Sequence, residues 1–555
     1  MAFPLYVLAS SAIAAITMLA VLSLSGRRWL AVLAAFAGAT ALLLVHGPLY
    51  FDFYADDAYI TLRYSQHLAD GLGPNWNSAG RVEGYTTFLW MGTLAGLAKL
   101  GVDLVDASRA LGFLSLLATF AAVYLIWRLW GSEQPESSLR SPALLGAALL
   151  GLALTDGVAF WGFSGMETPL FMALLTWSAY LYMRERRSGP VPIPWSALAL
   201  AATAMTRPEG LIAAGVTGLF VLFDAATSPD RRQAIARAVS WGGVFLAIYG
   251  SYFLWRYSYY DFLLPNTFYA KVEPTSALYE RGLDYVWTYG LRYQLIPLFA
   301  GIAFLLTNRR WRGDAAYLLV LTGAMLAGVA IEGGDDFPHG RMIVPLTPLL
   351  YIGGLAGLAA LLSHLSLESA QRTALVAITL SLASLSLMRG SVHLSGPLAH
   401  ERVQLNEREQ FGVWLRENTP PDYTIAAFAV GAIGYYSERD ILDMLGINDV
   451  VIAHTDVPRF GLGIAGHEKF NIDYVLDEVR PEIIIPNDAE PGPISEEEQR
   501  QRFARPSSVR ARDALLTDPR LWDLYTARSL NLSGSWFNFL QRTDTIDAID
   551  VTEQP

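Results

Sequence analysis

The stretch Phe53-Tyr-Ala-Asp-Asp-Ala-Tyr-Ile60 sets two adjacent carboxylates, Asp56 and Asp57, just past an apolar segment long enough to cross a membrane. Carboxylates at a bilayer boundary are costly to desolvate and repel each other, so the position needs a reason. A proton to take, a cation to hold or a rim facing water would each supply one. Five further polar clusters stand out from an apolar background. They are Arg81–Tyr85 with Glu83 and Tyr85, Ser164–Thr168 with Glu167, Thr206–Gly210 with Arg207 and Glu209, Pro265–Lys271 with Asn266 and Lys271, and Gly333–Arg341 with Asp335, Asp336, His339 and Arg341.

Taken singly, each cluster has a plain structural reading. Asp56 and Asp57 suit the first turn of a helix, and Glu167 before Pro169 suits a helix start. Arg207 and Glu209 make a tight-turn ion pair. Lys271 snorkels to the interface, Asp335 and Asp336 sit in a solvated turn, and His339 is a surface imidazole. Collected at one set of helix ends, they describe the rim of a cavity. The chemistry they suit is transfer from a lipid phosphate. A carboxylate takes a proton from an acceptor hydroxyl. Arginine and lysine stabilise a phosphate leaving group. Paired aspartates can hold a hard divalent cation (Mg, Mn or Ca) through oxygen. A Ser-His-Asp order, a zinc-ligand helix and a phosphate-binding P-loop are all missing from the sequence, so peptide and nucleotide hydrolysis lack their parts.

The elements that must position these groups follow from composition. The chain has 555 residues, 53% of them hydrophobic and 16% charged, against about 25% charged in soluble domains. The net charge of −11 argues against a nucleic-acid partner, because phosphate backbones need a basic face. There is no cysteine, hence no disulfide or thiolate site. Apolar blocks predict about 12 spans, near 5–25, 30–50, 107–128, 142–160, 168–183, 194–206, 210–224, 238–256, 285–306, 315–331, 341–362 and 373–388. Arg27 and Arg28 follow the first block rather than precede it, which predicts a retained helix rather than a cleaved leader. The arginine clusters at 27–28, 128–140, 184–187, 231–237, 309–312 and 372 then fall on one side, the cytoplasm by the positive-inside rule. All six polar clusters fall on the other. The apolar segment 85–100 is read as interfacial or re-entrant, within an outer loop 51–106.

From about residue 390 the chain turns polar. Amphipathic spacing predicts a helix over Glu401–Glu417, strands over Tyr423–Phe428 and Glu482–Pro486, and a helix over Tyr474–Val479. Residues 1–389 are therefore expected to form the membrane domain, and 390–555 a periplasmic α/β domain. Gly431-Ala-Ile-Gly434 is too short for a dinucleotide fingerprint.

At Ala55–Arg63, Gly71–Asn77 and Arg81–Glu83 the chain resembles the GT-C superfamily of membrane glycosyltransferases, which use polyprenyl-phosphate sugars. Gly334-Asp335, and Arg341 before Val344-Pro345, fit the same pattern. Within the superfamily it is most similar to the terminal β-(1→2) arabinofuranosyltransferases of mycobacterial cell walls. It departs in carrying a span before the one that precedes the aspartates, and in reading Glu83-Gly-Tyr-Thr. The resemblance implies a helical bundle with an outer cavity, a lipid-linked donor whose tail lies in membrane lipid, and a glycan or glycolipid acceptor. It makes Asp56 the catalytic carboxylate and Asp57 its partner or a cation ligand. Arg207, Lys271 and Arg341 would meet the donor phosphate. Arg63, Glu83, Tyr85, Glu167, Glu209, Asn266, Asp335, Asp336 and His339 are the expected substrate contacts. The multi-pass location implied is the bacterial inner membrane. A flippase for lipid-linked sugars, or a membrane factor without chemistry, remain the alternatives.

Overall fold

The computed structural model describes residues 3–132, 140–188, 193–364, 397–490, 492–495, 497–498 and 510–549. Among these, seven helices are long and apolar enough to cross a membrane: Leu5–Ser23, Arg28–Leu49, Leu104–Ser132, Gly210–Thr227, Arg231–Tyr260, Arg312–Ile331 and Pro338–Leu361. Their faces explain the assignment. Leu8, Leu19, Leu219, Phe223 and Leu254 are more than half exposed, which suits lipid rather than water. The chain is a multi-pass membrane protein.

These helices match seven of the twelve expected blocks, and the other described blocks differ for local causes. The block 142–160 is two helices, Pro142–Leu154 and Asp156–Phe163, bent by 59° where Thr155 is extended. It counts as an eighth span only if the bent pair crosses as one. The block 285–306 is also broken. Helix Ser276–Arg292 stops, Gln294 takes a left-handed φ of 57°, and Leu295–Leu305 restarts. The break frees Tyr293 to donate to the His339 carbonyl at 2.7 Å and lets Arg292 reach Asp156. Thr168–Ser188 carries Arg184, Glu185, Arg186 and Arg187 in its last turns, and Trp195–Thr206 and Leu295–Leu305 have 12 and 11 residues. Phe88–Ala98 has 11 residues, too few to span at about 1.5 Å each. The span expected at 373–388 lies outside the described residues.

The C-terminal region carries a five-stranded mixed sheet in the order β2-β1-β3-β5-β4. The strands are β1 (Thr424–Ala427), β2 (Asp440–Asp443), β3 (Ile483–Ile485), β4 (Tyr525–Leu532) and β5 (Ser535–Arg542). β1 pairs in parallel with β2 and β3, and β5 runs antiparallel to β3 and β4. Strands β1 and β3 read Thr-Ile-Ala-Ala and Ile-Ile-Ile because parallel strands are covered on both faces. Strands β4 and β5 form a hairpin. Its two-residue turn is Ser533-Gly534, with φ of 54° and 93°, and a tight hairpin of the type I′ kind needs positive φ at both places. Helix Pro397–Asn418 covers one face of the sheet, with the Phe411 ring stacked 4.6 Å from Phe537.

This domain is docked on helix Asp56–Ala69 and the loop after it. Trp76 is fully buried and donates its indole N–H to the Ile441 carbonyl at 3.0 Å. Asn77 bonds the same residue twice, giving its Nδ2 to the carbonyl at 3.0 Å and taking the amide at 2.9 Å. A side-chain amide thus continues the free edge of β2. The docking holds the sheet over the aspartate end of the bundle.

Candidate active site

Ala55 is extended and Asp56 opens the helix, so both aspartates occupy its first turn, where the helix dipole favours negative charge. Successive residues in a helix are rotated by about 100°. The two carboxylates therefore leave the backbone in different directions. Asp56 accepts from the Gly431 amide at 3.0 Å and the Ala432 amide at 3.1 Å, one to each oxygen. Arg408 adds a guanidinium nitrogen at 3.5 Å. A Cβ on Gly431 would stand 1.9 Å from the Asp56 carbonyl oxygen, so only glycine allows this approach. The Gly431–Gly434 segment is thus where the soluble domain receives Asp56.

Asp57 makes no direct hydrogen bond or ion pair among the described residues. It lines two adjoining cavities. The first, about 330 Å³, is walled by the bundle and holds Glu167, Arg207, Glu209, Asp335 and Arg341. The second, about 360 Å³, lies against the soluble domain and holds Asp56, Asp336, Arg408, Asp443 and Asp488. Asp57, Ile60, Lys271, Ile447, Ala465 and Gly466 line both. Asp57 and Lys271 are the charged groups at the divide.

Charge pairing separates the cations of the first cavity. Arg207 is held by Glu209 at 2.5 Å and by Glu167 at 2.8 Å. Arg341 is held by Asp335 at 2.7 Å, with its guanidinium 4.6 Å from the Phe337 ring centre. Lys271 carries no direct hydrogen bond or ion pair among the described residues, so its ammonium keeps its donors for a ligand. Burial, and then the charge of Glu209, raise the pKa of Glu332 at the rim of this cavity. In the second cavity, burial and then Asp335 push the Asp336 carboxyl up to about 6. Burial works against charge on Arg408, but Asp56 and Asp488 outweigh it and raise its pKa.

The sequence expectations divide accordingly. Asp57, Tyr85, Glu167, Arg207, Glu209, Lys271, Asp335 and Arg341 come together around the first cavity, and Asp56 and Asp336 around the second. Four expected substrate contacts line neither. Arg63 lies on the docking face. Its guanidinium donates to the carbonyls of Trp76 (2.8 Å), Gly434 and Arg439 (2.7 Å). Glu83 is paired inside the bundle with Arg256 at 2.6 Å. The Asn266 amide donates to the carbonyls of Gly446 (2.8 Å) and Ile447 (3.0 Å). His339 is buried, stacks on Phe160 and shares a 2.8 Å bond with Asp156. The donors of Arg63 and Asn266, the Glu83 carboxylate and the His339 Nδ1 are engaged by the protein itself, while Asn266 Oδ1 and His339 Nε2 are buried without a hydrogen-bond partner.

Sequence reading missed Gln404, Arg408, Asn487, Asp488 and Arg512, which the soluble domain contributes to the second cavity. Gln404 and Arg408 sit on an amphipathic helix whose polar face reads as solvated. Arg256 and Asp156 had a signal that was not used, a lone charge inside an apolar block. Among the described residues no three His, Cys, Asp or Glu side chains converge as a metal site.

Residues 395–538 match a domain family of unknown function, DUF8728. The terminal beta-(1->2)-arabinofuranosyltransferase of Mycobacterium tuberculosis is 27% identical over 344 residues, 56% of this chain and 54% of that protein. The protein of the same name from Corynebacterium glutamicum is 27% identical over 338 residues, 54% of this chain and 46% of its own. The chain spans about half the length of the curated relatives it matches. Among solved structures, ArnT from Cupriavidus metallidurans in the apo state superposes with a TM-score of 0.54, at 15% identity, covering 92% of this chain and 97% of that one. The same protein bound to undecaprenyl phosphate gives 0.50, covering 74% and 85%. The chain shares the fold of ArnT.

Proposed function

We propose that this chain is a membrane glycosyltransferase that moves a sugar, arabinofuranose or another pentose, from a polyprenyl-phosphate donor to a periplasmic glycan or glycolipid. The arabinofuranosyltransferases it resembles support the sugar, and the undecaprenyl phosphate bound to ArnT supports the donor. The observation that carries the reading is the position of Asp57 and Lys271, a carboxylate and an ammonium without direct partners among the described residues, at the divide between two cavities.

The donor sugar phosphate enters the bundle-side cavity, with its tail toward lipid past the half-exposed Leu264 and Phe268. The acceptor enters the cavity under the soluble domain. Its hydroxyl oxygen forms a bond to the anomeric carbon of the sugar while the bond from that carbon to phosphate oxygen breaks. Asp57 takes the hydroxyl proton, and polyprenyl phosphate leaves with the bonding electron pair. Lys271 stabilises the charge that develops on phosphate. Arg207 and Arg341 contribute less, because Glu167, Glu209 and Asp335 already draw on their charge. Asp57 and Asp336 are the carboxylates that would hold a divalent cation. Bound there it would neutralise donor phosphate, and no step above depends on it. Asp56, with both oxygens engaged, is a positioning residue that fixes the soluble domain over Asp57.

The arginine clusters lie at the far ends of the helices that reach this site, which supports a periplasmic site by the positive-inside rule. The chain has no cysteine, so single cysteines report topology directly. In intact cells a membrane-impermeant thiol reagent should label Leu462→Cys and spare Arg232→Cys; the reverse pattern inverts the orientation. For the chemistry, purified protein is given a farnesyl-phosphoryl arabinofuranose donor and an arabinofuranosyl oligosaccharide, and product is followed by mass spectrometry. Asp57→Asn should lower turnover by roughly 10²–10⁴-fold. Turnover within a few-fold of wild type would sink this mechanism.

A further inference from the structure

A third charged cavity lies at the opposite end of the bundle, and the proposed reaction makes no use of it. Three helices run from the aspartate end to this one. Thr168–Ser188 starts beside Glu167 and ends past Arg186 and Arg187. Gly210–Thr227 starts beside Glu209, and Arg312–Ile331 ends beside Glu332. They have 21, 18 and 20 residues, roughly 30 Å each at 1.5 Å per residue, which is the thickness of a bilayer core. The two regions are therefore at opposite membrane faces.

This far cavity has a volume of about 640 Å³. Five arginines line it, Arg186, Arg187, Arg237, Arg309 and Arg310, against two aspartates, Asp224 and Asp314, an excess of three positive charges. The aspartates are already committed. Asp224 accepts from Arg186 at 2.8 Å and from the Tyr182 hydroxyl at 3.0 Å. Asp314 accepts from Arg187 at 2.5 Å and from the Trp130 indole at 2.7 Å. They hold Arg186 and Arg187 in place as one wall. Arg237 and Arg309 make no direct hydrogen bond or ion pair among the described residues, although both face the same space. Arginines that only obey the positive-inside rule spread outward into water. These line one half-open cavity from three separate segments of chain.

The flank of the cavity is apolar. Leu222 and Phe223 are each 60% exposed, Ile235 54% and Val239 69%, on the two helices that carry Asp224 and Arg237. A polar cavity with surplus guanidinium groups beside a lipid-facing apolar wall matches a ligand with a phosphate head and hydrocarbon tails. Guanidinium binds phosphate through parallel, charge-assisted hydrogen bonds, and basic pockets between spanning helices on the cytoplasmic side suit anionic head groups. We propose that this cavity is a binding site for a phosphate ester, with the phosphodiester head of an anionic membrane phospholipid as its source and free phosphate as the other source to be distinguished. The proposal is independent of the transferase reading, because this cavity shares no residue with either cavity of that site.

The test uses the full chain, purified in detergent, with native mass spectrometry for retained lipid and thermal unfolding for linkage. Wild type, Arg237→Gln/Arg309→Gln and, as a control, Arg27→Gln/Arg28→Gln at the exposed first turn are each titrated with phosphatidylglycerol, phosphatidylcholine of the same chains, and inorganic phosphate. The expected result is at least tenfold weaker phosphatidylglycerol retention and loss of its thermal stabilisation in Arg237→Gln/Arg309→Gln. The control should match wild type, and phosphatidylcholine should have no effect. Stabilisation by phosphatidylglycerol but not by inorganic phosphate identifies the lipid source. Equal stabilisation by both identifies a free phosphate ligand, and either upholds the site. Equal retention by all three proteins, or equal effects of the two lipids, overturns it.

Discussion

On one face of helix Asp56–Ala69, Asp56, Tyr59 and Arg63 meet the soluble domain. On the neighbouring face, Asp57, Ile60 and Thr61 line the bundle-side cavity. The first set is saturated. Asp56 takes two backbone amides, the Tyr59 hydroxyl donates to Glu409 at 2.5 Å, and three of the Arg63 guanidinium bonds end on backbone carbonyls. The second set leaves its charge unspent, with Asp57 and Lys271 facing open volume. Both faces are polar and both come from the same short run of sequence. Saturation by the protein's own backbone is what distinguishes a charge that holds domains together from one held ready for a ligand.

That contrast is tested hardest between neighbours. Asp57→Asn should cost roughly 10²–10⁴ in turnover while thermal unfolding stays near wild type. Asp56→Asn sets an NH2 donor against one of the two backbone amides and weakens the Arg408 pair, so its first effect should be on docking, about 1–3 kcal/mol. Equal activity losses with unchanged stability in both variants would erase the distinction. Next is Arg63→Met, which leaves three buried backbone carbonyls without their donors. A loss of about 3–5 kcal/mol is expected for breaking such a buried charged network. It should show as early release of residues 397–549 in limited proteolysis, with donor affinity preserved in the surviving folded fraction.

Lys271→Ala sharpens the other side. Removing a charge-assisted bond to phosphate, at about 1.5–3 kcal/mol, should raise the apparent KM for donor by about tenfold to a hundredfold and leave acceptor KM unchanged. Arg341→Ala should do less, since Asp335 already occupies its guanidinium. A larger effect from Arg341 than from Lys271 would reverse the ranking. The smallest effect is that of Asp336. Its carboxyl binds a proton more tightly in the fold than in the unfolded chain, at about 6 rather than 3.8. Between those values the unfolded state holds fewer protons, so stability falls as pH rises and has lost this contribution above about 6. The amplitude is modest because a third of the side chain is exposed. Asp336→Asn should flatten this part of the stability–pH curve, and an unchanged slope would remove the assignment.

Much of the architecture was legible because lipid enforces it. A backbone in hydrocarbon must satisfy its own hydrogen bonds, so long apolar runs become helices wherever they occur in the chain. The outer polar clusters were legible for the same reason, since a bilayer tolerates such groups only at helix ends or inside a cavity. The first strand and the short helix Tyr474–Val479 followed from composition and periodicity. Span number was less legible. Asp156 and Arg292 break two apolar blocks through contacts more than a hundred residues apart, and hydropathy carries no record of a partner.

The sequence by itself determined that two carboxylates and several cations gather at one end of a membrane bundle, because their cost in lipid leaves nowhere else for them. Only the tertiary structure decided what each of them does. One residue of helical rotation turns Asp56 into the soluble domain and Asp57 toward open space, and the direction of each depends on where that domain docks. Arg63, Glu83, Asn266 and His339 carry side chains as suited to a substrate as those of Lys271 or Asp57. They differ in what the fold set within hydrogen-bond reach. A side chain's chemistry is local and can be read along the chain, whereas its availability depends on neighbours that come from distant sequence.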